Sequence, residues 1–156
     1  MSISVKQVTG EYDWQAILDL LHESFAYMEG RIDPPSSLHQ LTSFGIAAFA
    51  ATHHLAVIEH QQAPVACAFI TYKPHATYIG KLATAKMHRG KGLAKALIEH
   101  AAQIRRHSVL ELETRIELVE NRRAFDAMGF VKISEGAHEG YAQATSVKMQ
   151  KRLSAK

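Results

Sequence analysis

The stretch Leu82–Leu97, with the sequence LATAKMHRGKGLAKAL, contains the clearest structural signal of the chain. Its first residues continue a strand predicted over Tyr78–Ala85, and Gly90 and Gly92 then interrupt the apolar pattern. Beyond the glycines, one apolar stripe recurs at helical spacing, formed by Leu93, Leu97, Ala101 and Ile104. The sequence therefore predicts a strand that runs through a glycine loop directly into a helix.

This loop has the properties of an anion site. A helix N-terminus presents unpaired main-chain N–H groups and a partial positive charge, and glycines allow an anion to approach the main chain closely. Arg89 and Lys91 add two cations. The loop is neither a Walker A loop nor a dinucleotide fingerprint, because Leu93 and Lys95 stand where those motifs need other residues. A pyrophosphate cradle is one interpretation, and a simple tight turn is the alternative.

The charge distribution supports an anion site. Residues 73–98 contain six Lys or Arg and no acid, whereas acids dominate residues 111–120; the net charge of the chain is only +3. A local basic stretch of this kind is typical of an anion ligand, but the small net charge does not indicate nucleic acid. The single cysteine, Cys67, excludes an intrachain disulfide, and its apolar neighbours indicate a buried side chain.

The remaining elements follow from periodicity and turn residues. A strand, a helix and a second helix opened by a Ser-x-x-Gln capping box are predicted first, over Ile3–Val8, Glu11–Met28 and Ser37–Ala51. Further strands are predicted over His54–Glu59, Val65–Tyr72 and Leu110–Leu118, a short helix over Asn121–Met128, and a closing hairpin from Phe130–Ile133 and Tyr141–Met149.

Two of these segments resemble motifs of the GNAT superfamily of acetyltransferases. Leu82–Leu97 resembles its acetyl-CoA-binding motif, in which a strand enters an Arg/Gln-x-x-Gly-x-Gly/Ala loop and a helix. Asn121–Phe130 resembles the next motif, a short helix that is opened by Asn and ends in Gly-Phe. The resemblance covers essentially the whole chain and extends to bacterial members. It implies an α/β (α+β) fold in a single domain, residues 1–156, with a mostly antiparallel sheet of six to seven strands and four helices on both faces.

The resemblance also implies a site for acetyl-CoA. Leu82, Ala83 and Thr84 would contact the pantetheine arm through their backbone, and Asn121 would contact it near the thiol. The pyrophosphate would be wrapped by His88, Arg89, Gly90, Lys91, Gly92, Leu93 and Ala94. Phe125 lies where many relatives carry a tyrosine that protonates the departing thiolate. A thiol with a pKa near 8.5 leaves without strong acid assistance, so this departure is tolerable.

The catalytic residues are unassigned at this stage. His75 and Tyr78 precede the loop strand in a region without a carboxylate, and His138 and Tyr141 lie in the turn of the predicted final hairpin. A solvent-exposed turn histidine is the alternative for His75, and a water chain would also serve as the base.

Residues around the predicted helix break are candidates for binding the acceptor: Tyr27, Glu29, Arg31 and Asp33. The alternative is a solvated loop stiffened by prolines. Glu111 and Glu113 are further candidates to face the cleft, although a polar strand face is the more common explanation for such residues.

We expect an N-acetyltransferase that moves an acetyl group to a primary amine of a small molecule by direct transfer in a ternary complex. A nonenzymatic acyl-CoA-binding sensor is the alternative. No metal ligand set is recognisable among the ten histidines. We further expect no nucleic-acid or membrane partner, a possible homodimer, and a cytoplasmic protein, since the opening residues MSISVKQVTG lack the apolar run of a secretory signal.

Overall fold

The computed structural model describes residues 3–154 and contains a seven-stranded sheet flanked by helices. The strands are β1 (Val5–Gln7), β2 (His54–His60), β3 (Ala63–Tyr72), β4 (Thr77–Thr84), β5 (Val109–Arg115), β6 (Val131–Gly136) and β7 (Ser146–Arg152). The helices are α1 (Trp14–Phe25), α2 (Ser43–Thr52), α3 (Leu93–Gln103) and α4 (Val119–Ala127). Short 3₁₀ turns occupy Ala26–Met28, Ser37–Gln40 and Lys86–His88.

The strand order is β1-β2-β3-β4-β5-β7-β6, and each neighbouring pair is antiparallel except β4 with β5. This arrangement confirms the predicted mixed, mostly antiparallel sheet. The parallel pair requires a crossover, which α3 provides.

Both faces of the sheet are covered, because alternate residues of its central strands are apolar on each side. On β2, Leu55 and Val57 pack with α1 and α2, whereas Ala56 and Ile58 pack with α3. Each layer buries large aliphatic side chains from its helices: Ile17, Leu21 and Ile46 on one face, and Leu93 and Leu97 on the other. The predicted placement of helices on both faces is confirmed.

The parallel strands β4 and β5 stay together for only two residue pairs, Thr77–Leu110 and Tyr78–Glu111. Both strands continue beyond these pairs without pairing to each other, so a V-shaped cleft opens between them. On its other side, β4 contains a bulge: Cys67 pairs with Ala83 and Phe69 with Gly80, which leaves two residues of β4 opposite one of β3. Bulges bend a strand and strengthen its twist, which favours the divergence of β4.

Three predicted boundaries were wrong. The segment predicted as one helix from Ser37 is a 3₁₀ turn followed by α2, because Thr42 breaks the helix with extended backbone and caps α2 through a 3.0 Å hydrogen bond from the Gly45 N–H. The predicted capping box therefore does not form. Strand β5 ends at Arg115 in a turn closed by the Leu118 N–H and the Arg115 carbonyl. Strand β7 begins at Ser146 rather than at Tyr141.

Candidate functional site

The loop between β4 and α3 exposes main-chain N–H groups at the start of a helix. Gly90 and Gly92 have left-handed φ values of 79° and 81°, and a Cβ atom at either would meet no atom within 4 Å. Gly92 caps α3 without a side-chain hydrogen bond. The Ala96 N–H bonds to the Gly92 carbonyl at 3.0 Å, so the N–H groups of the preceding helical residues are left for another acceptor.

Cations surround this helix start. The Arg89 guanidinium donates to the Ser24 carbonyl at 2.8 Å and lies over the Tyr27 ring, which fixes it against the end of α1. Lys91 and Lys95 are exposed, and neither forms an ion pair with residues 3–154. The loop thus combines main-chain donors with positive charge, as a diphosphate requires.

A groove of about 560 Å³ extends from this loop along β4 to α4. Ten of the twelve residues predicted to bind the cofactor line it: Leu82, Thr84, His88, Arg89, Gly90, Gly92, Leu93, Ala94, Asn121 and Phe125. Ala83 does not, because its side chain is buried in the core between the sheet and α1. Lys91 does not line it either and points to solvent.

The main chain of β4 on the cleft side is only partly available. The Ala85 N–H bonds to Val65 of β3, so strand alternation directs the main-chain groups of Thr84 and Leu82 toward the cleft. The Thr84 N–H is already bonded to the buried Ser24 hydroxyl at 3.2 Å. Leu82 is therefore the residue whose main chain best fits the predicted contact with a pantetheine arm.

A second cavity, of about 230 Å³, occupies the V between β4 and β5. Polar residues of its lining include Tyr78, Lys81, Glu113, Arg115, His138 and Ser146. Apolar side chains from α1, the 3₁₀ turns and both strands complete it, among them Phe25, Met28, Leu38, Ile79, Leu112 and Leu118. We call it the cleft cavity. It shares Phe25, Leu82, Asn121 and Phe125 with the groove, so the two spaces meet at these residues.

The four catalytic candidates from the sequence separate into two pairs. Tyr78 and His138 line the cleft cavity. Burial, together with the charges of Glu113 and Glu111, raises the pKa of Tyr78 to about 12, so the phenol stays protonated and can donate a hydrogen bond. His75 and Tyr141 line neither space: the His75 side chain is 68% exposed, and the Tyr141 hydroxyl donates to Asp33 at 2.6 Å.

The two strand glutamates have different environments. Glu111 is 1% exposed and accepts hydrogen bonds from Lys73 at 3.1 Å and from Gln150 at 2.9 Å. Burial raises the pKa of Glu111, but these hydrogen bonds and the Lys73 charge outweigh it, and the net shift is downward. Glu113 lines the cleft cavity and forms neither a hydrogen bond nor an ion pair within the described chain. Glu111 is therefore buried and paired, whereas Glu113 is an exposed carboxylate at the cavity lining with no such partner among residues 3–154.

The segment predicted to bind the acceptor is connected to α4 and to neighbouring loops by hydrogen bonds and ion pairs. Asn121 donates to the Tyr27 hydroxyl at 3.0 Å, and Arg31 forms a bidentate pair with Glu120, both N–O distances being 2.9 Å. Asp33 accepts from Tyr141, and its N–H donates to Glu117. Glu29 lies 2.8 Å from His39. Of these four candidates, Tyr27 lines the groove and none lines the cleft cavity.

Sequence reasoning missed Lys81 and Arg115 as cavity residues. Arg115 closes the cavity by donating to the Pro34 carbonyl at 2.7 Å and to the Pro35 carbonyl at 3.3 Å. Lys81 enters the cavity from the β4 bulge, where its φ is 45°. Gly80 directly precedes Lys81, and an isolated glycine inside a strand pattern is a signal for a bulge, but it does not show which side chain enters the cavity.

Within residues 3–154, no three His, Cys, Asp or Glu side chains are grouped so as to hold a metal ion. The same part of the chain has no helix of the length and hydropathy that crossing a membrane requires.

The family model described as "Acetyltransferase (GNAT) family" matches residues 14–130, well over half of the chain. The chain therefore belongs to the GNAT family and is an acetyltransferase. Members of this family use acetyl-CoA. No curated protein sequence matched the chain.

Solved structures of acetyltransferases share the fold. The ribosomal-protein-S18-alanine N-acetyltransferase from Escherichia coli superposes with a TM-score of 0.73 at 13% identity, over 99% of this chain and 96% of that one. The IAA acetyltransferase from Bacillus cereus gives 0.65 at 20% identity, over 97% and 100%. A chain of the NatC complex bound to Gag peptide and CoA gives 0.66 at 22% identity, over 99% and 100%.

Proposed function

We propose that the protein transfers the acetyl group of acetyl-CoA to a primary amine of a small molecule, by direct attack in a ternary complex. The observation that carries this proposal is the junction between the groove and the cleft cavity at Phe25, Leu82, Asn121 and Phe125. A donor in the groove and an acceptor in the cavity would meet there.

The groove residues fit the donor. The open space beside Gly90 and Gly92 and the free N–H groups of α3 suit the diphosphate, with Lys91 and Lys95 adding charge. Leu82 and Asn121 would hold the pantetheine arm. Acetyl-CoA supplies an acetyl group activated as a thioester.

Glu113 is our candidate for the group that removes the proton from the attacking amine. It is the unpaired carboxylate of the cleft cavity, and Tyr78 beside it is a protonated hydrogen-bond donor. A covalent acetyl-enzyme on Cys67 is disfavoured, because the thiol is fully buried and burial raises its pKa to about 12. Direct transfer is the simpler route.

The size of the cleft cavity supports a small acceptor. Arg115 and the segment around Asp33 close its outer side. The volume of about 230 Å³ can accommodate a molecule no larger than an amino acid.

Thiol release from acetyl-CoA, measured across primary amines, secondary amines and alcohols, tests the proposal. We expect release that depends on a primary amine, an acetylated product by mass spectrometry, and intersecting rather than parallel initial-rate lines. Calorimetric binding of acetyl-CoA without amine-dependent turnover would instead support the acyl-CoA sensor. Absence of both would overturn the donor site as well.

A further inference from the structure

Lys81 and Glu113 are the charged side chains of the cleft cavity that the fold leaves without a partner. Arg115, the third charged side chain of the lining, donates to two main-chain carbonyls. Neither Lys81 nor Glu113 forms a hydrogen bond or ion pair with any described residue, and they do not pair with each other. Among residues 3–154, the cavity lining therefore contributes one cation and one anion without an ion-pair partner.

Other charged side chains beside the cleft are paired: Arg31 with Glu120 and Lys73 with Glu111. Removing a charge from water without giving it a partner costs free energy. We therefore expect a half-buried, unpaired cation to bind an anionic group of a ligand.

The backbone of β4 holds Lys81 in this position. Its left-handed φ of 45° is unfavourable for a side chain other than glycine, and the bulge places it in the cavity lining. The Cys67 thiol contacts the Lys81 carbonyl at 3.8 Å from the buried face of β3. Burial lowers the pKa of the Lys81 ammonium, which an anion beside it would restore.

We propose that Lys81 binds the carboxylate of the acceptor while Glu113 faces its amine, so that the preferred acceptors are free amino acids. The proposal rests on the acetyltransferase function proposed above and names its substrate class. The amine nitrogen forms a C–N bond to the thioester carbon while one of its protons passes to Glu113. The C–S bond breaks with its electron pair on sulfur, and the thiolate takes up a proton from solvent as Glu113 releases its own, so the products are the N-acetyl amino acid and the thiol of CoA.

The rest of the lining specifies the side chain of that amino acid. Phe25, Met28, Leu38, Ile79 and Leu112 belong to the apolar part of the same lining. Amino acids with apolar side chains should therefore be better acceptors than those with charged ones.

Matched acceptors test the carboxylate contact: an apolar amino acid, its amide, and the amine that lacks the carboxylate. With the unmodified protein we expect kcat/KM for the amino acid to exceed that for the amide roughly tenfold or more, as for a hydrogen bond to a charged group. Lys81→Met should remove most of this preference, mainly by raising KM for the amino acid. Lys81→Arg should retain part of the preference.

Lys6→Met is the matched control, since Lys6 lies on β1 outside both spaces and should leave the ratio unchanged. Circular dichroism and acetyl-CoA binding check the fold of each variant. If Lys81→Met fails to fold, inhibition of the unmodified protein decides: an alkyl carboxylate without an amine should compete with the acceptor, and its amide should not.

Equal rates for the amino acid and its amide in the unmodified protein would overturn the role of Lys81 and leave the acetyltransferase intact. The same holds if a peptide with a free N-terminus proves as good an acceptor as the free amino acid. Failure to acetylate any amine would instead contradict the proposed function itself.

Discussion

The anion loop depends on Gly92, which precedes α3 with a left-handed φ of 81°. A Cβ atom at this position would meet no atom within 4 Å. Gly92→Ala meets no steric clash but makes this conformation unfavourable by about 1–2 kcal/mol. We expect the loop to shift and the affinity for acetyl-CoA, measured by calorimetry, to fall roughly tenfold as hydrogen bonds to the charged diphosphate are lost. Gly10→Ala is the control: Gly10 has a φ of 73°, equally open space and no place in the groove, so affinity should not change. Equal losses in both variants would show that the effect is general strain.

The proposed role of Glu113 as the proton acceptor can be tested by a single substitution. Glu113→Gln keeps its size but cannot accept a proton, so we expect kcat to fall by about 10²–10⁴, the usual contribution of a general base, with acetyl-CoA affinity unchanged. Glu99→Gln, an exposed change on α3 outside the cleft cavity, should have no effect. An unaltered kcat for Glu113→Gln would mean that another group accepts the proton. His138, which also lines the cavity, would then be the next candidate.

Among the secondary-structure elements, the β2–β3 hairpin is not optimised. His60 pairs with Ala63, and the two residues between them, Gln61 and Gln62, have φ values of 53° and 67°. Two-residue turns with both φ values positive favour Asn-Gly. Gln61→Asn with Gln62→Gly should raise the free energy of unfolding by about 1 kcal/mol and Tm by about 3 °C, without changing activity.

The matched control for the hairpin is Gln7→Gly in β1, where a glycine in a paired strand should lower Tm. Thermal unfolding followed by circular dichroism measures both. A loss of stability in the hairpin variant would mean that the glutamine side chains contribute more than their backbone strain costs.

The secondary-structure elements could largely be predicted from the sequence, whereas the cleft cavity between them could not. Periodicity located β2, β3 and α3, because their apolar spacing reports local geometry. The loop of Gly90 and Gly92 was predicted for the same reason. The cleft cavity was not, because it depends on the divergence of β4 from β5 and on the bulge at Lys81, which are relations between strands. The acceptor assignment of Arg31 and Asp33 likewise could not include their distant partners, Glu120 and Tyr141.

For the molecule as a unit, a histidine pair makes stability depend on pH. The Nε2 atoms of His54 on β2 and His100 on α3 lie 2.9 Å apart, and burial lowers the pKa of both side chains, with the His100 charge adding to the effect at His54. Above about pH 8 both are neutral in the folded and unfolded states, because the reference pKa of histidine is about 6.5. As the pH falls below that value the unfolded chain takes up protons first, so the free energy of unfolding decreases.

His100→Gln retains a hydrogen-bonding side chain that does not titrate, and should flatten this decrease between about pH 6.5 and 5. His107→Gln, at an exposed position after α3, is the control and should leave the slope unchanged.

Glu111 affects stability in a separate, more acidic pH range. Its pKa is lowered, so the stability it contributes is lost only as the pH falls below about 4.3. Urea unfolding at a series of pH values distinguishes the two groups, because Glu111→Gln should alter only the acidic end. A slope near pH 6 that persists in His100→Gln would show that this pair does not set it. α3 begins at the anion loop, and His100 on α3 contacts His54 on β2. Comparing acetyl-CoA affinity at low pH in the unmodified protein and in His100→Gln therefore tests whether protonation of this pair also weakens donor binding.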